Sequence, residues 1–226
     1  MKDGGIMSSV PRWSARLLLA AISLGTAPCV RAGDFEYWPK AVAYIPIREQ
    51  WQFALEQRLT FDDGARRLGD YQTDFVVTYA GLADWLSVGL GYKATFEKDD
   101  DRWLLENRPY LNVTLKTTLY GFGLSSRSRF EYRHPEDDDE TWRYRNKLTV
   151  TAPFPLTAWK ILPYVAEEIF INFDEEGFNQ QRLYGGFFLP LHERVRLELF
   201  YLWKLNEQDD GWDTTHVFGS WVHFQF

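Results

Sequence analysis

Trp51-Gln-Phe-Ala-Leu-Glu-Gln-Arg-Leu-Thr-Phe61, followed at once by Asp62-Asp63-Gly64, is the stretch on which the fold turns. Trp51, Phe53, Leu55, Leu59 and Phe61 fall on one side of an extended chain, and Gln52, Glu56, Arg58 and Thr60 on the other. Successive side chains of a strand point to opposite faces, so this run is a strand with one apolar and one polar face. Its length suits a tilted strand crossing a bilayer, which takes roughly nine to eleven residues.

Working outward, the pattern recurs along the rest of the chain. Nine further runs follow: Tyr71–Ala80, Leu86–Glu97, Trp103–Leu119, Phe122–His134, Thr141–Thr151, Ile161–Phe173, Gln181–Leu189, Val195–Leu205 and Thr215–Phe226. In the third run Leu86, Val88, Leu90, Tyr92 and Phe96 oppose Ser87, Gly89, Gly91, Lys93 and Thr95. In the sixth, Trp142, Tyr144, Leu148 and Val150 oppose Arg143, Arg145, Lys147 and Thr149. A soluble sandwich alternates in the same way, so the connections carry the distinction.

The connections fall into two alternating kinds. One kind is acidic: Asp62–Gly64, Lys98–Asp101, Pro135–Glu140, Asp174–Gly177 and Asn206–Gly211. The other is compact and less charged: Gly81–Asp84, Tyr120-Gly121, Pro153–Leu156 and Pro190–Glu193. Strict alternation gathers the acidic loops at one end, as in an up-and-down barrel with long outer loops and short periplasmic turns. The sequence therefore predicts an all-β, transmembrane, antiparallel barrel of about ten strands, with both ends on the periplasmic side. Asp34–Ile47 is left over, as a further strand or a piece tucked into the lumen; twelve strands result if it pairs and one long run divides.

The N-terminus fits export. Arg12 and Arg16 precede the apolar run Leu17–Leu24, and Val30-Arg31-Ala32 offers a cleavage site. The run is too short to span a membrane as a helix. Residues 1–32 thus read as a signal peptide and 33–226 as the barrel domain, with 33–49 its N-terminal strand or plug; an uncleaved anchor is the competing reading. Cys29, the one cysteine, lies inside the leader, so a processed chain has no disulfide and no thiolate chemistry. Aromatic residues make up 17% of the chain, which suits strands and membrane interfaces. Phe218, Ser220, Val222, Phe224 and Phe226 share a face of the last strand, and such an aromatic terminus resembles the signal read by the barrel-assembly machinery. The expected location is the outer membrane of a Gram-negative bacterium, and the expected partners are its lipid, its lipopolysaccharide and that machinery. Oligomeric state is left open.

With the apolar faces toward lipid, the lumen receives a dense set of charges. Arg127, Arg129, Glu131 and Arg133 stack along one strand face, and the next strand answers with Arg143, Arg145 and Lys147. Glu56, Glu106, Glu131, Glu168 and Glu198 are the natural partners of this basic wall. Arg108, Arg127, Arg129, Glu131, Arg133, Arg143, Arg145, Lys147, Glu168 and Arg182 are the lumen candidates for binding an anion, because guanidinium forks grip carboxylate and phosphate. The bland alternative is a salt-bridge lattice that fills a narrow barrel.

Other chemistry has little support. His134, His192, His216 and His223 sit in no nucleophile or metal motif, so no catalytic residue, metal or cofactor is expected. The net charge of −7 argues against nucleic acid. Asp99–Asp101 and Asp137–Asp139 offer hard oxygen ligands without the spacing of a calcium loop, which suits diffuse bridging to lipopolysaccharide. His216 and Asp213, if they lie near Asp137–Asp139, are the alternative: a rim enzyme acting on lipid, peptide or glycan.

Several motifs resemble the outer-membrane family known as domain of unknown function 2490. They are Glu106-Asn107-Arg108, Ser126-Arg127-Ser-Arg129-Phe-Glu131-Tyr-Arg133 and Trp142-Arg143-Tyr-Arg145-Asn146, then Pro163-Tyr164, Glu168-Ile-Phe170-Ile-Asn172, Asn179-Gln-Gln-Arg182-Leu-Tyr-Gly185 and the strand Leu197–Leu205. The resemblance implies an outer-membrane barrel and no established activity. The expectation from sequence is a narrow, anion-leaning pore or a structural envelope barrel with a charge-paired lumen; a soluble periplasmic β protein is the remaining class.

Overall fold

The computed structural model describes residues 35–173, 177–208 and 211–226. The leader expected over 1–32, with Cys29, lies outside the described residues, as do parts of two acidic loops. Eleven strands form one closed barrel: β1 Phe35–Arg48, β2 Trp51–Asp62, β3 Arg67–Ala83, β4 Leu86–Asp99, β5 Arg102–Leu119, β6 Phe122–Pro135, β7 Thr141–Thr151, β8 Leu162–Asn172, β9 Gly177–His192, β10 Val195–Gln208 and β11 Gly211–Gln225. Each strand pairs antiparallel with the next, as the alternating turns predict.

The count of ten is corrected by the leftover segment. It is a strand and not a plug, paired antiparallel with β2 and parallel with β11, from Phe35↔His216 to Tyr44↔Gln225. An odd number of up-and-down strands sends the first and last in the same direction, so the ring closes with a parallel seam. Closure satisfies the backbone groups that an open edge would leave bare. It also moves the start of β1 to the end carrying the acidic loops, opposite Phe226; the two ends of the barrel do not share a side.

Most turns follow the residues. Leu119↔Phe122 is joined by Tyr120-Gly121, both with positive φ (50° and 84°), the pair a two-residue type I′ hairpin demands. The β7–β8 connection is longer than the compact Pro153–Leu156 turn expected. It runs over 152–161, with an isolated bridge between Leu156 and Ile161 and left-handed backbone at Thr157 and Lys160. Pro153 and Pro155 cannot donate to a ladder, so the hairpin cannot tighten there. Phe154 and Trp159 stand exposed on it.

The outer wall is apolar. Leu55, Phe75, Val77, Leu90, Leu111, Phe130, Leu148, Val165, Phe187 and Phe218 are exposed at mid-strand positions. Aromatic pairs ring the acidic end, including Tyr71–Phe96, Tyr71–Trp103, Tyr132–Trp142 and Phe178–Trp212, while Trp51–Tyr79 and the exposed Trp85 and Trp159 mark the other. The few polar side chains on this face bond one another. Asn146 Nδ2 donates to Ser126 and Ser128 Oγ at 3.1 Å each, and Gln181 Nε2 donates to Glu167 Oε1 at 2.5 Å. A lipid would offer them no partner, so mutual bonding is the arrangement that a membrane tolerates.

Candidate functional site

The inward face of β6 is set by parity. Arg127, Arg129, Glu131 and Arg133 alternate with the outward Ser126, Ser128, Phe130 and Tyr132, and β7 lies in register with Arg127↔Lys147, Arg129↔Arg145 and Glu131↔Arg143. Like charges directly opposite one another repel, so the wall needs acids set among its cations. Two fully enclosed carboxylates supply them. Glu131, 0% exposed, accepts from Arg143 Nε and Nη2 at 3.0 and 2.7 Å and from Arg145 Nη1 at 3.1 Å, with Arg129 Nη1 at 3.5 Å. Glu168, 1% exposed, accepts from Arg145 Nη2 at 2.7 Å, Arg127 Nη2 at 3.3 Å and the Tyr184 hydroxyl at 2.8 Å. Arg145 therefore joins the two acids.

The lattice extends across the lumen. Lys93 Nζ and Arg129 Nη1 lie 3.4 and 3.6 Å from Asp74 of β3, and the Tyr110 hydroxyl donates to Asp74. Arg133 Nε donates to Glu106 Oε1 at 2.5 Å, and Arg108 donates to the same carboxylate. Lys40 donates to Glu56 at 2.8 Å while standing 3.4 Å over the Trp221 ring. Of the ten lumen residues anticipated from the sequence, Arg127, Arg129, Glu131, Arg143, Arg145, Glu168 and Arg182 fall within one connected set, and Arg108 and Arg133 form a second cluster on Glu106. Lys147 joins the first set through rings: its Nζ is 3.7 Å from the Tyr184 ring centre and 5.7 Å from that of Trp221. Glu56 and Glu198 serve Lys40 and His223, not the basic wall.

The sequence reading missed the aromatic half of the lumen. Trp38, Tyr164, Ala166, Tyr184, Phe200, Leu202 and Val217 form a buried cluster on the β8–β11 and β1 side. Gly219 makes room for it: a Cβ there would lie 2.0 Å from Phe200 Cζ. The signal was available as parity, since Phe200 and Leu202 stand at the same alternate positions as Glu198 and Lys204. Toward the compact end His223 was missed as well. Its Nε2 lies 2.9 Å from Glu198 Oε2 and its Nδ1 3.3 Å from the Tyr44 hydroxyl, while the Tyr164 hydroxyl donates to Glu198 at 2.5 Å.

Above the lattice, on the acidic side, a vestibule of about 320 Å³ opens to solvent. Nine basic and four acidic side chains line it, so it is cationic within a chain of net charge −7. Below it lies a cavity of about 70 Å³ among Lys40, Glu56, Arg127, Lys147 and Trp221.

The rim constellation is not assembled. His216 bonds the Tyr201 hydroxyl at 2.5 Å on β10, whereas Asp137 pairs with Arg102 of β5 at 2.5 Å. The strands β8 to β10 stand between the two groups on one arc of the ring. At the rim Glu140 accepts from Tyr132 and from His134 Nδ1, the latter at 2.6 Å; these bonds, the Tyr132 one first, hold its carboxyl below the usual carboxylate range. No group of three or more His, Cys, Asp or Glu able to hold a metal assembles among the described residues.

A closed barrel with an inward charge lattice and a one-sided vestibule defines the class of protein. The chain belongs to the family described as protein of unknown function (DUF2490), whose profile matches residues 35–215, from β1 into β11. Comparison with curated proteins and with solved structures gives no match.

Proposed function

We propose that the protein is an exported outer-membrane barrel that spans the bilayer without conducting solute and presents a blind cationic vestibule on its acidic-loop side. The observation that carries this reading is that side chains from strands three or four places apart around the ring meet inside the lumen. Lys147 of β7 reaches Trp221 of β11, Arg182 of β9 stands 5.1 Å from the Trp38 ring of β1, and Arg129 of β6 reaches Asp74 of β3. Barrels of this size have room mainly for their own side chains. The apolar outer wall, the two aromatic belts and the self-bonded outward polar groups support the membrane location. The lattice is then a scaffold: it fixes the lumen and holds the vestibule floor.

Planar bilayer recording tests the closed lumen. Wild-type protein is expected to give no discrete steps above the lipid baseline. Trp38→Ala combined with Lys147→Ala, which removes two of these three bridges, is expected to give them and so shows that insertion occurred. Discrete anion-selective steps from the wild type would restore the pore. Recovery of the native chain in the aqueous phase, without detergent, would overturn the membrane location itself.

A further inference from the structure

The lattice satisfies its guanidiniums unevenly, and two poorly satisfied ones meet in the vestibule. Arg58 approaches its acid, Asp70, only to 3.7 Å, and Arg182 approaches Glu168 only to 3.9 Å; both distances exceed a hydrogen bond. The Nε of each is buried with no hydrogen-bond partner. Yet neither side chain is loose. Arg58 stands 4.5 Å from the Trp38 ring centre, and Arg182 stacks between Trp38 and Phe170, at 5.1 and 4.5 Å. Two forks are thus held over rings with donors in reserve, both lining the same 320 Å³ space. An arginine kept buried, oriented and underused is costly unless something completes it.

We infer that the vestibule is a binding site for the phosphate group of a small ligand, gripped by Arg58 and Arg182 beside Trp38, with Lys93 at its floor. Phosphate matches the planar fork, which it accepts bidentately. The volume admits a phosphate with a small organic body and not a polymer. Asp62, Asp70 and Glu97 line the same vestibule, and their charge disfavours a polyanion while a compact phosphate passes. The site deepens the reading of a blind vestibule, and it does not depend on whether the lumen conducts.

Titration calorimetry on the full processed chain in non-ionic detergent tests it, with inorganic phosphate and phosphorylethanolamine as probes. Saturable binding is expected, weakened about tenfold or more in Arg182→Gln and in Arg58→Gln, with Arg182→Lys between, and unchanged in Lys116→Gln near the compact end. Circular dichroism of each variant checks that the barrel is intact. Absence of saturable heat in the wild type, or equal affinity in the folded Gln variants, overturns the site. Nanodiscs separate the two sources of such a group. Loss of the soluble-phosphate heat when lipids with a terminal phosphate are present assigns a lipid-borne phosphate; its persistence assigns a soluble one. Binding is read without any conductance, so failure here and failure of the closed lumen are distinct results.

Discussion

Replacing Glu131 by Gln is the sharpest perturbation of the lattice, because one enclosed carboxylate carries three guanidiniums. The side chain keeps its shape and one acceptor, but its amide turns donors toward donors. Arg145 retains Glu168 at 2.7 Å, and Arg129 retains Asn112 at 2.8 Å and Asp74 at 3.6 Å. The loss therefore concentrates on Arg143, whose two hydrogen bonds both end on Glu131 Oε2. Removing one partner of a buried pair costs about 3–5 kcal/mol. Arg143 borders the vestibule, where water replaces part of what is lost, so the lower end, about 3 kcal/mol, is expected. Arg127→Gln is the contrast. Its side chain is 34% exposed and meets Glu168 at 3.3 Å, an acid that Arg145 and Tyr184 still hold; a cost below about 1 kcal/mol follows. Urea unfolding in non-ionic detergent, followed by tryptophan fluorescence, measures both without screening charge. Glu131→Gln combined with Arg143→Met should regain part of the loss, since the stranded cation is gone. The reasoning is refuted if Glu131→Gln lies within about 0.5 kcal/mol of wild type, or if Arg127→Gln costs as much.

Further expectations follow from packing, titration and topology. Gly219→Ala drives a methyl into the buried Phe200 ring and should cost about 1–3 kcal/mol in the same unfolding assay, whereas Gly185→Ala, with open space around its Cβ, should be close to neutral. The Glu140 carboxyl should titrate below the usual carboxylate range by carbon-detected magnetic resonance, and Tyr132→Phe should move it back up. With a depressed folded value the interaction is present at neutral pH and lost as pH falls through that value. On a Cys29→Ser background, an impermeant maleimide should label Phe35→Cys on intact cells and leave Leu191→Cys unlabelled until the envelope is opened; equal labelling would contradict opposite ends for β1 and the β9–β10 turn.

How legible this barrel was depends on which physical signal each part left in the chain. Strands left the strongest one: period-two alternation bounded by turns placed β4, β5, β6 and β7 to within a residue or two. The runs read as Tyr71–Ala80 and Gln181–Leu189 fall short of β3 and β9, because Gly81 and Gly177 read as turn residues while the strands continue through them. The charge lattice is legible because Arg and Glu recur at one parity, opposite the apolar residues. The parallel seam was not, since Asp34–Ile47 carries no mark of its partner, and strand count alone fixes its direction. The aromatic half of the lumen is less legible for a different reason: hydrophobicity alone places apolar residues outward. Yet once Glu198 and Lys204 fix the inward parity of β10, Phe200 and Leu202 must share it, and Glu168 does the same for Phe170. Parity outranks hydrophobicity here. An apolar residue at an inward position has no lipid to meet, so it must pack across the lumen, and large rings at several such positions already imply a filled barrel. Read that way, bulky rings at inward parity support the proposed closed lumen, alongside the charged side chains that bridge the walls.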